Sequence, residues 1–159
     1  LERVVETNPD DIQLRERLVG LCTRANDWAR AARELRAIAL ARPTPQDKAR
    51  EELRLGLLFR DRLGDRAAAR MALDRARTLD PLNLDVIREL ADLLDPAARA
   101  QLLATTCANL RGSIQATPAR AALYERLAQL NAWQADVDAR WVALAAVEIV
   151  ATLAAEEVV

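Results

Sequence analysis

The sequence predicts an all-α fold made of helical hairpins. Three observations predict it: a helix-forming composition, a shortage of glycine and aromatic residues, and four prolines at nearly even intervals. Of the 159 residues, 52% are hydrophobic but only 3% aromatic, so the core has to be built from Leu, Ala, Val and Ile. Ala, Leu, Arg and Glu favour helix, while β-branched residues are sparse before the last segment. Four glycines are too few for a sandwich of tight turns or for a phosphate-cradling loop region. Pro9 and Pro43 lie 34 residues apart, Pro43 and Pro81 lie 38 apart, and Pro81 and Pro118 lie 37 apart. Each follows one apolar helical stretch and precedes another. Proline suits that turn because it cannot continue the first helix and pre-sets φ for the next step.

The residues between the prolines repeat in phase with them. The first unit carries Leu18 and Cys22, an Asn26-Asp27-Trp28 turn, then Ala31, Leu35 and Ile38. The second carries Leu55-Gly56 and Phe59, a Leu63-Gly64-Asp65 turn, then Ala69, Leu73, Ala76 and Asp80-Pro81. The third gives Ile87, Leu90-Ala91 and Leu94, and the fourth gives Tyr124 and Leu127-Ala128. Small residues at Ala31, Gly56, Ala69, Ala91 and Ala128 let paired helices approach closely, and large apolar residues three or four positions on fill the space between hairpins.

This pattern resembles the tetratricopeptide repeat, whose units run Trp-x2-Leu-Gly-x2-Tyr, then Ala-x3-Phe, then Pro. The later units are divergent, in the manner of bacterial-type repeats. The resemblance implies a right-handed superhelical array of antiparallel hairpins. Its expected boundaries are 1–9 for the tail of a preceding helix, 10–43 and 44–81 for two regular repeats, and 82–118 and 119–159 for two divergent ones. Residues Thr44-Pro45-Gln46 are expected to lengthen an inter-repeat turn. Asp95-Pro96 reads as an N-cap followed by proline at the first helical position, opening a long helix to about Ala116. In the fourth unit the expected alanine is displaced to Ala139.

Both ends read as cut from a longer protein. Leu1, Val4 and Val5 match the tail of a second helix. Trp141 to Val159 is apolar on almost every side, which implies a covering neighbour or self-association through that helix. Arg140, Glu148 and Glu156 leave no uncharged run long enough for a membrane span.

Composition also narrows the chemistry. With 23 basic and 24 acidic residues the net charge is −1, without the basic excess of a nucleic-acid or anionic-membrane binder. Lys48 is the sole lysine, a skew that reflects a GC-rich genome. The chain has no histidine, so the usual general base and metal ligand is missing. No Walker loop, dinucleotide fingerprint or zinc-spaced cysteine set occurs. Asp10-Asp11 and Glu51-Glu52 are expected at helix starts, where they favour the helix dipole. Cys22 and Cys107 fall in predicted helices as small packing residues, which fits a reducing, cytoplasmic setting. Neither catalysis nor a cofactor is expected.

In tetratricopeptide arrays the first helix of each hairpin lines the groove that takes a peptide or partner helix. Carried over by register, the resemblance places Gln13, Glu16, Gly20, Thr23 and Arg24 there in the first unit. The second supplies Arg50, Leu53, Leu57, Arg60 and Asp61. The third supplies Asp85, Arg88 and Asp92, and the fourth Glu125, Gln129 and Trp133. The family's Lys/Asn clamp for a terminal carboxylate is replaced by Glu16 with Gly20 and Leu53 with Leu57. Arg62, Arg66 and Arg70 recur around the Gly64 turn, where Asp61, Asp65 and Asp74 neutralise them. Trp28 reads as structural, and Trp133 and Trp141 as core or interface residues. The implied function is a protein-interaction scaffold. The alternatives are an internal structural or oligomerisation spacer, or the regulatory arm of an enzyme or sensor.

Overall fold

A computed structural model of the chain describes residues 11–116 and 120–133, together with Ala143. The expected helix tail at 1–9, Pro118, Ala139 and, Ala143 apart, the apolar segment 141–159 lie outside the described residues. Seven helices and no strand occur among the described residues. They are α1 (Ile12–Arg24), α2 (Trp28–Ala41), α3 (Pro45–Asp61), α4 (Arg66–Leu79), α5 (Leu84–Ala91), α6 (Pro96–Ala116) and α7 (Arg120–Trp133). The chain divides into two compact units, Leu1–Leu93 and Leu94–Val159. The boundary falls between the two helices of the third proline-delimited repeat.

Short polar side chains start the helices. Asp11, Asp27, Thr44, Asp65 and Asn83 each accept a hydrogen bond from the backbone N–H three residues on, and Asp95 does the same for Ala98. Each satisfies a donor that the first helical turn leaves unpaired. Asp65→Ala is therefore expected to lower the stability of the first unit by about 1 kcal/mol, read as a shift of the urea midpoint. The hairpin turns after α1 and α3 close alike, through left-handed residues Asn26 (φ 57°) and Gly64 (φ 65°). Asp27 N–H then reaches back to Cys22 O at 2.9 Å, and Asp65 N–H to Phe59 O at 2.9 Å.

Two local expectations are corrected. Thr44, Pro45 and Gln46 do not lengthen the turn. Thr44 caps α3 and Pro45 occupies its first turn, so the insertion goes into a helix of 17 residues, against 13 in α1. Glu51 and Glu52 consequently sit well inside α3 rather than at its start, and both are buried. The physical reason is that Thr-Pro is a better helix opening than a turn extension: the threonine hydroxyl caps and proline lacks only an N–H that has no helical partner anyway.

In the first unit, α1 packs on α2, α2 on α3, α3 on α4, and α4 on α5. Leu18 and Cys22 meet Ala31 within the first hairpin. Val19, Ala32, Leu35 and Ile38 join Leu55 and Ala72 of the next. Ala49 and Ala76 close on Val86 of α5. Gly56 faces Leu73 so tightly that a Cβ there would lie 2.8 Å from Leu73 Cγ, the close approach that the small-residue pattern predicts. These are stacked helical hairpins, the arrangement that the proline-spaced pattern predicts.

In the second unit α6 packs on α7, and α6 runs to Ala116 as expected. Leu102, Leu103, Cys107 and Leu110 are buried on α6, and Leu127, Ala128 and Leu130 on α7. The Cys107 thiol donates to Asn131 Oδ1 at 3.5 Å. Asn131 Nδ2 is buried without a hydrogen-bond partner. Asn131→Leu removes a buried amide whose nitrogen has no partner and takes an acceptor only from the weak thiol donor of Cys107, so it is expected to stabilise this unit or leave it unchanged, as a thermal melt would show.

Candidate functional site: the first-helix face

The face formed by α1, α3 and α5 is knitted by ion pairs that cross from one hairpin to the next. Glu16 on α1 accepts from Arg54 of α3 at 2.9 Å and from Arg42 at 3.3 Å. Arg42, the last residue before the α2–α3 turn, reaches Glu51 at 2.6 Å, and Arg54 also reaches Glu51 at 2.6 Å. The result is a four-membered network of two carboxylates and two guanidinium groups. Glu51 is its buried member, with a side chain only 6% exposed. Further along, Arg60 of α3 donates to Glu89 of α5 and to Asp61 at 2.6 Å.

Electrostatics follow this geometry. Arg54 is held above its ordinary pKa, first by its hydrogen bond to Glu16 and, against desolvation, by the charge of Glu51. Arg60 is likewise raised, by its hydrogen bonds to Asp61 and then Glu89. Asp61 is lowered by the hydrogen bond from Arg60. A depressed carboxylate contributes stability that is present above its unfolded pKa and is lost as pH falls through the folded one. Because Asp61 is half-exposed, that contribution is small.

The structure spreads the sequence-predicted residues over several environments. Gln13 and Arg24 are exposed, as is Thr23, whose hydroxyl donates to Val19 O at 2.8 Å. Gly20 has open space around its Cα, with nothing within 4 Å of an added Cβ. Glu16 and Arg60 are engaged in the inter-hairpin pairs just described. Leu53 is partly buried against Ala49, Ala76 and Val86, and Leu57 is half-buried. Arg50 is 72% exposed, with Asp47 at 3.3 Å. Arg88 is 54% exposed beside Glu89 and Asp85, and Asp92 is exposed at the end of α5. Glu125, Gln129 and Trp133 belong to α7 in the second unit, the first two exposed and Trp133 half-buried.

Other features resolve at the hairpin turns. The Arg62 guanidinium lies over the Trp28 ring, 4.9 Å from its centroid, so Trp28 contacts the next hairpin. Arg70 lies 3.9 Å from Asp74. Sequence reasoning missed Arg42, Glu51, Arg54 and Glu89. The one available signal was the 38-residue separation of Glu16 and Arg54, the length of one repeat with opposite charges at its ends.

No protein-family model matches the chain, and no curated protein does. Four solved chains match it. One, titled "Crystal structure of MamA", is 15% identical over 98% of this chain and 86% of that one, with a TM-score of 0.49.

Proposed function

We propose that the chain is a non-catalytic scaffold that holds a protein partner on the α1/α3/α5 face. The observation that supports it is the pair of links, Glu16–Arg54 and Arg60–Glu89, that ties each first helix to the next. A face braced in this way is already ordered, so a partner's contact energy is not spent on arranging it. Stacked hairpins whose cores are filled by Leu, Ile and Ala present such a surface without any moving part. The lack of histidine deprives the chain of the commonest acid–base group.

The residues suited to touching a partner are the exposed Gln13, Arg50, Arg88 and Asp92, with the half-buried Leu57 among them. Arg60 is a poor probe of binding because its loss also releases Glu89. Arg50→Glu combined with Arg88→Glu avoids that ambiguity. A pull-down with the 159-residue chain should recover a specific protein, and the double variant should recover much less of it while keeping the wild-type helical circular dichroism. Undiminished recovery by the folded double variant would remove this face from consideration.

A further inference from the structure

On the opposite side of the first unit, the second helices α2 and α4 both pack on α3 and leave a groove between them. Its volume is about 440 Å³. Ala39 and Leu40 of α2 form one wall, Thr78 and Leu79 of α4 the other, and Lys48 and Glu52 of α3 lie between. Leu40 is 76% exposed at the lip, although Leu35, the other leucine of α2, is buried.

The lining carries two cations, Lys48 and Arg75, and two anions, Glu52 and Asp74, but their pairing leaves Lys48 out. Glu52 stands four residues after Lys48 on α3, a spacing that suits an ion pair. Glu52 instead turns to Arg75 of α4, with Arg75 Nη2 2.9 Å from its Oε2. That contact lacks hydrogen-bond alignment, so Glu52 Oε2 and Arg75 Nε remain buried and unsatisfied. Asp74, also in the lining, faces Arg70 and Arg77. Lys48, half-buried and the sole lysine of the chain, is the cation left over: its ammonium has no partner among the described residues.

Taking the scaffold role as given, we propose that this groove is a second docking site, which receives an amphipathic helix of a protein partner with its apolar face down and one carboxylate against Lys48. The lining chooses among modes of peptide recognition. Strand addition needs a sheet edge, and no strand occurs among the described residues. Polyproline segments need aromatic-lined grooves, and phosphopeptides need clustered arginines. This groove offers aliphatic walls, no aromatic residue and one unopposed ammonium, which fits helix-in-groove recognition with apolar anchors at i, i+3, i+4 and i+7. A trough between two helix ridges is also the shape into which a further helix packs.

The test uses a fluorescein-labelled amphipathic peptide of about 15 residues, long enough to form helix on binding, with leucines at those spacings and one flanking Glu. Fluorescence anisotropy with the full 159-residue chain should show saturable binding, weakened about tenfold by Lys48→Glu. A peptide with Lys in place of that Glu should bind Lys48→Glu better than it binds wild type. Thr78→Arg, which fills the groove from an exposed position on the other wall, should abolish binding independently of any effect on α3. Affinity unchanged by both variants would overturn the proposal, as would amide shift changes confined to α1, α3 and α5. A dimer of the chain that Leu40→Asp dissolves would overturn it in favour of a second copy. The Arg50/Arg88 capture experiment does not involve Lys48 or Thr78, so each site fails or stands separately.

Discussion

Gly56→Leu is expected to destabilise the first unit by about 3 kcal/mol, enough to remove much of the stability of a small domain. Even a methyl group at this position would sit 2.8 Å from Leu73 Cγ, 3.0 Å from its Cδ2 and 3.4 Å from Ala69 O. Leu73 is fully buried and Ala69 O is part of α4, so neither neighbour can withdraw without opening the α3–α4 interface. A glycine in mid-helix otherwise costs about 1 kcal/mol relative to alanine, and the sequence accepts that cost here to bring two helices together. Gly56→Ala should thus change sign with its surroundings. In the wild-type chain it should destabilise by about 1–2 kcal/mol. In a Leu73→Ala background, where the obstructing carbons are gone, it should stabilise by up to about 1 kcal/mol. Urea unfolding of the four proteins in this cycle would settle it; a Gly56→Ala effect of the same size in both backgrounds would refute the packing explanation.

Glu51→Ala should be the costliest change among the charged residues, at about 2 kcal/mol. Loss of a fully buried ionic partner costs more, but Arg42 and Arg54 are 29% and 44% exposed, so water recovers part of the difference. The variant leaves both guanidinium groups competing for Glu16 alone and loosens the link between α1, α3 and the α2–α3 turn. Arg50→Ala, on the exposed side of the same helix, should change stability by less than about 0.5 kcal/mol. The contrast also has a salt signature. The Glu51 penalty should persist at high ionic strength, because salt screens buried pairs far less than exposed ones. A penalty that vanishes in salt would mean that Glu51 acts only as a surface charge.

The first hairpins were legible because their determinants are local. Asp27 and Asp65 cap helices whose N–H groups lie within one turn. Asn26 and Gly64 supply the left-handed residue that the turn requires, and Ala31, Ala69 and Gly56 recur at the spacing of a helical face. The residues proposed for the groove were legible only as register positions. Whether a side chain at such a position meets a ligand or a neighbouring helix depends on what lies across from it. Leu53 shows this: its spacing places it with the groove residues, while in the folded unit it lies against Val86.

By itself, then, the sequence determined the all-helical class, the hairpin period, the helix caps and the glycine contact, since each follows from backbone chemistry or from spacing along one helix. Only the tertiary structure decided that Glu16 and Arg60 brace neighbouring hairpins and that Glu52 meets Arg75 rather than Lys48. Those outcomes depend on which of several nearby charges wins. That competition turns on distances between residues on different helices, and such distances exist only once the helices have packed.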